Sequence, residues 1–388
     1  MRPVKLTDAR RVVLVRTLRG FADGYVSVLL ADYLLSLGYS PLRVGVLVTA
    51  TLIGSAALTL VVGLTGHRVG FRTLLLGAAG LMALTGLGFL ATTAFVPLFL
   101  IALVGTLNPS SGDVSVFLPT EQAFLAGHAT GAERTRLYAL YNVGGNLAGA
   151  LGALLSAAIT GRVGFVIYIA VAAITALVYA QLPKDKPAPS ALTKPLERSR
   201  RVVLELAALF SLDSAGGGFV VQSLLVLWLH LKFDLATTTT GAVFFGAGTL
   251  SAFSQFLAPR LAARIGLIRT MVFTHLPANG FLILAAVAPN AKLAVACLLM
   301  RALLSQMDVP ARQAFVMAVV LPAERAAAAS VTNVPRSLAS AATPALAGWF
   351  LANGHLAAPL LLAGSLKAVY DLLLLWRFRS VELVDEDG

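Results

Sequence analysis

Twelve stretches of this 388-residue chain are apolar for about the length of a membrane-crossing helix, and no other feature limits its fold as strongly. They run roughly over residues 12–36, 44–64, 73–93, 95–126, 137–160, 163–182, 202–231, 239–259, 269–288, 293–320, 326–353 and 356–378. Crossing the ~30 Å hydrocarbon layer takes about 20 residues of helix. The blocks are too long for barrel strands and lack the alternation of apolar and polar residues that such strands need, so helices are the spanning structure that remains. With 58% apolar and 12% charged residues, the chain has more apolar surface than a water-soluble core can hide. It reads as an all-α membrane protein, not as a cytosolic enzyme, a disordered chain or a disulfide scaffold. The single cysteine, Cys297, excludes an internal disulfide and any CxxC motif. The first residues do not read as a cleavable signal, because charges continue into the first block at Arg16, Arg19 and Asp23.

The basic residues between blocks set an orientation. With the N-terminus inside, the inner loops and termini receive 20 Lys and Arg and the outer loops receive 4, namely Arg43, Arg162, Lys232 and Lys292. This asymmetry predicts both termini in the cytoplasm. It also assigns the net charge of +12 to anionic lipid headgroups. No basic patch interleaved with aromatics is present, so nucleic acid is not an expected partner.

Residues 183–201, PKDKPAPSALTKPLERSRR, form the one long polar stretch between blocks and read as a cytoplasmic linker. The linker divides the chain into bundles at 1–182 and 202–388, six blocks each. The halves repeat each other. Gly45, Ser55, Arg68 and Gly70 fall on Gly241, Ser251, Arg264 and Gly266 at an offset of 196. Pro119, Gln122, Ala123, Phe124, Glu133, Arg134, Asn142 and Val143 fall on Pro310, Gln313, Ala314, Phe315, Glu324, Arg325, Asn333 and Val334 at an offset of 191. Six helices per half preserve orientation, so the repeat is parallel, about an axis along the membrane normal.

On these features the chain resembles the major facilitator superfamily over its whole length. The loop GLTGHRVGFR supplies Gly63, Arg68, Gly70 and Arg72 of that family's loop motif after the second helix, with His67 at the position of its Asp. The second half keeps Arg264, Gly266 and Arg269 in PRLAARIGLIR. Segment GGNLAGALG loosely resembles the family's antiporter motif in the fifth helix, with Gly145 and Gly149 in place and Ala150 where that motif has Pro. The resemblance implies two six-helix bundles around a central cavity, lined by the first helix of each three-helix unit.

Fourteen charged residues lie inside blocks, where each is costly unless it pairs, faces a cavity or does work. Eleven fall on blocks 1, 4, 7 and 10: Arg16, Arg19, Asp23, Asp32, Asp113, Glu121, Glu205, Asp213, Arg301, Asp308 and Arg312. Blocks 11 and 12 add Arg336, Lys367 and Asp371. Spacing places Arg16, Arg19 and Asp23 on one stripe of a helix, and Arg301, Asp308 and Arg312 on another. Asp23 and Asp213 each lie about 16 Å into their blocks, near the midplane, and with Asp113 and Asp308 they are the candidate proton-coupling groups. Asp32 and Glu205, nearer helix ends, read either as snorkelling to the interface or as site groups. Lys367 and Asp371, at i and i+4, read as a mutual pair on an outer helix. The repeat equates Glu121 with Arg312, which suggests a salt bridge between the halves or a substrate contact. Asp23 reads either as a proton carrier or as a fixed counter-ion of Arg19, and Asp213 lacks basic neighbours on its own helix. Prolines 109, 119 and 310 interrupt blocks 4 and 10. Around them Asn108, Glu121, Gln122, Gln306, Arg312 and Gln313 form a polar centre, and Arg16, Arg19, Asn333 and Arg336 complete the candidate substrate cavity.

No Walker loop, HExxH or Rossmann fingerprint accompanies these charges. The expected function is secondary active transport of a small molecule by alternating access, without a cofactor, as a monomer in a prokaryotic plasma (inner) membrane. The first block resembles drug:proton antiporter-type exporters, which implies proton-coupled efflux. Four arginines, Arg16, Arg19, Arg312 and Arg336, suit a metabolite or organic-anion transporter instead. A membrane receptor or assembly factor that transports nothing is the alternative of another class.

Overall fold

The computed structural model describes residues 6–65, 69–110, 116–126, 131–156, 158–159, 161–184, 199–320 and 324–379. Among these the regular structure is entirely helical. The twelve crossings comprise sixteen helices, because four crossings are broken. α1 (Leu6–Ser36), α2 (Pro41–Thr65) and α3 (Phe71–Ala91) are continuous. The fourth crossing consists of α4 (Phe95–Val104) and α5 (Phe117–Ala126), and α6 (Gly131–Leu155) and α7 (Gly161–Tyr179) end the first half. The seventh crossing splits into α8 (Arg200–Gly218) and α9 (Gln222–Phe233), followed by α10 (Thr237–Ile265) and α11 (Leu267–Val287). The tenth splits into α12 (Ala291–Ser305) and α13 (Asp308–Ala318), the eleventh into α14 (Arg325–Ala342) and α15 (Pro344–Ala352), and α16 (Ala358–Phe378) is the last.

Eight spans among the described residues are long and apolar enough to cross a membrane on hydropathy alone. The first, fourth, fifth and eleventh crossings fall outside that set. The first carries Arg16, Arg19 and Asp23, and the fourth and eleventh are broken into short pieces. Their polar character is offset by burial against other helices, a route open only to helices inside a bundle.

Each break has a local cause. α4 stops at Gly105, where a Cβ would come within 2.5 Å of both Ile101 O and Thr85 Oγ1. The freed backbone finds partners: Thr106 N donates to Thr85 Oγ1 at 3.2 Å and Tyr168 OH donates to Thr106 O at 3.1 Å. Non-helical backbone at membrane depth persists only with such partners. Pro119 and Pro310 fall in the first turns of α5 and α13, where a missing N–H costs no helical bond. The breaks in the seventh and eleventh crossings, not expected from proline interruption of blocks 4 and 10, follow Gly216–Gly218 and precede Pro344.

Helix pairing repeats between the halves. α1 packs along α6 and α3 along α7, while α8 packs along α14 and α11 along α16. The α1–α6 contact is close: a Cβ on Gly24 would lie 1.9 Å from Gly149 O, and one on Gly20 2.4 Å from Gly145 O. Small residues in this register let two backbones approach in lipid. The halves meet through α2 with α14 and α15, α6 with α10, and α1 with α9. The bonds that join them gather at the end away from Leu6, Arg200 and the linker. There Ser223 Oγ donates to Ser27 O at 2.8 Å and to Pro109 O at 3.0 Å. Thr237 donates to Asp32, and Ala345 N donates to Thr49 Oγ1 at 2.9 Å. A Cβ on Gly45 would lie 2.9 Å from Gly348 Cα. Towards the linker end, by contrast, Asn142, Gln313 and Asn333 are exposed. The molecule is therefore closed at the distal end.

Candidate transport site

The charges inside the bundles form two networks, one per half. In the first half Arg19 of α1 reaches Glu121 of α5, with Nη2 at 2.5 Å from Oε2. Tyr141 OH of α6 donates to the same oxygen at 2.5 Å, and Tyr179 OH of α7 donates to Oε1. The Arg19 guanidinium also lies 3.8 Å from the centroid of the Phe117 ring, a favourable face for a cation. Glu121 is fully buried. This carboxylate is thus held by one cation and two hydroxyls from three other helices. One turn away, Asp23 is held loosely. Arg16 Nη1 is 4.0 Å from its Oδ2, and Asn108 Nδ2 donates to that oxygen at 3.4 Å.

In the second half Asp213 of α8 is the hub. Lys367 Nζ of α16 lies 2.7 Å from Oδ1 and Arg312 Nη1 of α13 lies 3.3 Å from Oδ2. His275 of α11 connects this hub to a second carboxylate. Its Nε2 is 3.7 Å from Asp213 Oδ1, and its Nδ1 is 2.9 Å from Asp371 Oδ1. Asn279 Nδ2 donates to Asp371 Oδ2 at 2.9 Å. Asp308, in the first turn of α13, sits 3.6 Å from Arg312 and gains from the helix N-terminus. Arg336 Nε donates to Ser214 Oγ at 3.0 Å.

These contacts correct several expectations. Glu121 and Arg312 do not bridge the halves; each pairs within its own bundle, with Arg19 and Asp213. Residues equivalent under the repeat lie on opposite sides of its axis, so the correspondence makes them counterparts and not neighbours. The same helix pair carries the bond in both halves with its polarity reversed: cation on α1 and anion on α5, then anion on α8 and cation on α13. Lys367 and Asp371 are buried, and they bond to Asp213 and His275, not to each other. Asp213 lacks basic neighbours only on its own helix. Among the described residues the carboxylate in salt-bridge contact with Arg19 is Glu121, not Asp23. Glu205 is partly exposed and pairs with Arg377 at 2.9 Å, whereas Asp32 belongs to the distal junction.

Of the remaining candidates, Asn108 is buried, Gln122, Gln306 and Arg336 are half-buried, and Gln313 and Asn333 are exposed. Asp113 lies outside the described residues, as do His67 and Arg68 of the loop motif, and Gly63 is described only as part of α2. Gly70 and Arg72 begin α3, and Arg264 is in the last turn of α10. Gly266 joins α10 to α11 at φ +88°, a conformation that favours glycine. The residue reasoning missed His275, Asn279, Tyr141 and Tyr179. His275 and Asn279, at i and i+4 in an otherwise apolar block, were the available signal. Among the described residues no cluster has the ligands for a metal ion.

The model of the Major Facilitator Superfamily matches residues 12–307. An uncharacterized membrane protein of Saccharomyces cerevisiae is 24% identical over 94% of this chain and 92% of its own length. Among solved structures, a mutant of the nucleoside transporter NupG superposes with a TM-score of 0.76 at 13% identity, covering 96% of this chain and all of the other. The D-xylose-proton symporter gives 0.76 at 16% identity, with 95% and 97% covered. The human organic anion transporter MFSD10 gives 0.70 at 19% identity, with 94% and 99% covered. At these identities the likeness is one of fold.

Proposed function

The chain belongs to the Major Facilitator Superfamily, and on that premise we propose that it moves a small molecule by alternating access and couples the movement to protons. It is an integral membrane protein of transporter fold and not an enzyme. The division into bundles at 1–182 and 202–388, with the linker and both termini cytoplasmic, is part of the same reading. The 20-to-4 distribution of basic residues supports it. Under this topology the distal junction faces outward, and the described conformation is open to the cytoplasm. The yeast relative widens the setting from a prokaryotic inner membrane to cellular membranes generally. Labelling of single cysteines on a Cys297→Ser background checks the sidedness. A residue-190 probe should stay unreactive to an impermeant reagent in intact cells, and its reaction there would reverse the orientation.

The observation that carries the proton coupling is the loose hold on Asp23. Glu121, Asp213 and Asp371 each accept a hydrogen bond of 2.9 Å or less from a charged or polar partner. Asp308 has its helix N-terminus. Asp23 has a cation at 4.0 Å and an amide at 3.4 Å, so gaining a proton breaks no short bond. We assign it the proton and leave Asp213 as a fixed hub. Efflux is the direction supported by the resemblance of the first block to exporters.

Reconstitution in liposomes with an imposed proton gradient tests the assignment. Asp23→Asn should abolish gradient-driven accumulation and solute-induced proton movement while sparing downhill exchange. Unchanged uphill transport by the Asn variant eliminates the role. Solute binding without any flux in the unmodified protein would favour the receptor class instead.

A further inference from the structure

We propose that the second bundle binds one anionic group of the transported molecule, a carboxylate or a phosphate, at Arg301. This names a substrate class for the transport reading above and rests on it.

The charge count is the first ground. Leaving out Asp32 and Glu205, which lie nearer helix ends, the first half sets Arg16 and Arg19 against Asp23 and Glu121 among its described residues, and these four balance. The second sets Arg301, Arg312, Arg336 and Lys367 against Asp213, Asp308 and Asp371. With His275 neutral, one positive charge is left over, and an uncompensated charge inside a membrane is costly. A bound monoanion removes it. With His275 protonated the excess is two, which suits a dianion such as phosphate.

The second ground is where the excess sits. Arg312 and Lys367 are bonded to Asp213, and Arg336 to Ser214. Arg301 forms no ion pair among the described residues, and its Nε is buried without a hydrogen-bond partner. Arg19 and Arg312, two of the cations expected from sequence to hold an anion, are taken up by carboxylates.

The third ground is placement. Helical spacing sets Arg301 on the face of α12 that carries the buried Ala294, Cys297, Leu298 and Ala302. The opposite face, with Leu293 and Met300, is exposed. Arg301 therefore stands at the edge of that buried face, partly exposed with its Nε buried. Asp213, the carboxylate whose field reaches it, is already bonded to Lys367 and Arg312. Ten residues from the start of α12, Arg301 is about 15 Å deep, beyond the reach of lipid phosphates. A guanidinium binds carboxylate and phosphate through paired N–H donors, and Arg301 retains that capacity.

Thermal unfolding of the purified protein in acetate, in inorganic phosphate and in chloride at equal ionic strength tests the site. Acetate or phosphate should raise the Tm of the unmodified protein above its value in chloride. Arg301→Gln should weaken the apparent affinity about 10–100-fold. Arg377→Gln, at the exposed Glu205 pair, should leave it unchanged. If Arg301→Gln does not fold, Arg301→Lys keeps the charge without the paired donors and should bind more weakly than the native protein. Absence of an anion effect in the unmodified protein overturns the proposal, as does a full effect in Arg301→Gln or native-like binding by Arg301→Lys. Liposome flux separates the two levels. Anion binding without flux removes the transport reading and leaves the site, whereas flux of a neutral or cationic solute without an anion effect removes the site and leaves transport.

Discussion

Replacing Glu121 by alanine is expected to cost about 3–5 kcal/mol and to leave little folded protein, because Arg19 would remain charged in a buried position. The two hydroxyls that point at Glu121, from Tyr141 and Tyr179, would lose their acceptor as well. Replacing Arg19 by methionine alone should be similarly damaging. Replacing both, with Arg19→Met and Glu121→Leu, should recover most of the loss, since an apolar pair of similar volume is often neutral or better. Recovery of a monodisperse peak in size-exclusion chromatography, with its Tm, reads the cycle. Additive losses in the double variant would show that the two residues act separately.

A second large effect is expected at the distal junction. Gly45→Leu places a side chain where Gly348 Cα and Pro344 O lie within 3 Å of the first added carbon. Overpacking of this kind costs about 1–3 kcal/mol. Only the conformation closed at this end bears that cost, so the population should move about 5–150-fold towards the state open there. Ser223 is fully buried in the closed junction. A cysteine at position 223, on a Cys297→Ser background, should be alkylated correspondingly faster in the Gly45→Leu variant. An unchanged rate would show that the junction does not separate in the transport cycle.

The fold was legible in the chain because lipid makes apolar runs unmistakable and charges within them conspicuous. The twelve blocks, the six-plus-six division and the charges on every third block required no tertiary information. Partners were another matter. Spacing reports which residues share a helix face, and it says nothing of what faces them. Lys367 is 154 residues from Asp213, and Glu121 is 102 from Arg19. Reasoning along one helix therefore joined Lys367 to Asp371 and Arg19 to Asp23. The repeat misled on Glu121 and Arg312 for the opposite reason, since it relates positions that symmetry holds apart. His275 escaped because a neutral imidazole adds nothing to a count of charges. Asp23 and Arg301 were visible as buried charges, but their lack of short bonds could be seen only with the partners in place.

The self-sufficiency of the first charge network bears on how the chain is made. Arg19 enters the membrane 102 residues ahead of Glu121, an interval of about 5–20 s at ordinary rates of synthesis. During that time the insertion machinery must shelter it. Once Tyr179 has emerged, the bonds to Glu121 from Arg19, Tyr141 and Tyr179 can all form, and Arg19 is neutralised before the second bundle is made. The later bundle reaches its full length with Arg301 Nε buried and without a hydrogen-bond partner, so in the anion-binding proposal its partner comes from outside the polypeptide.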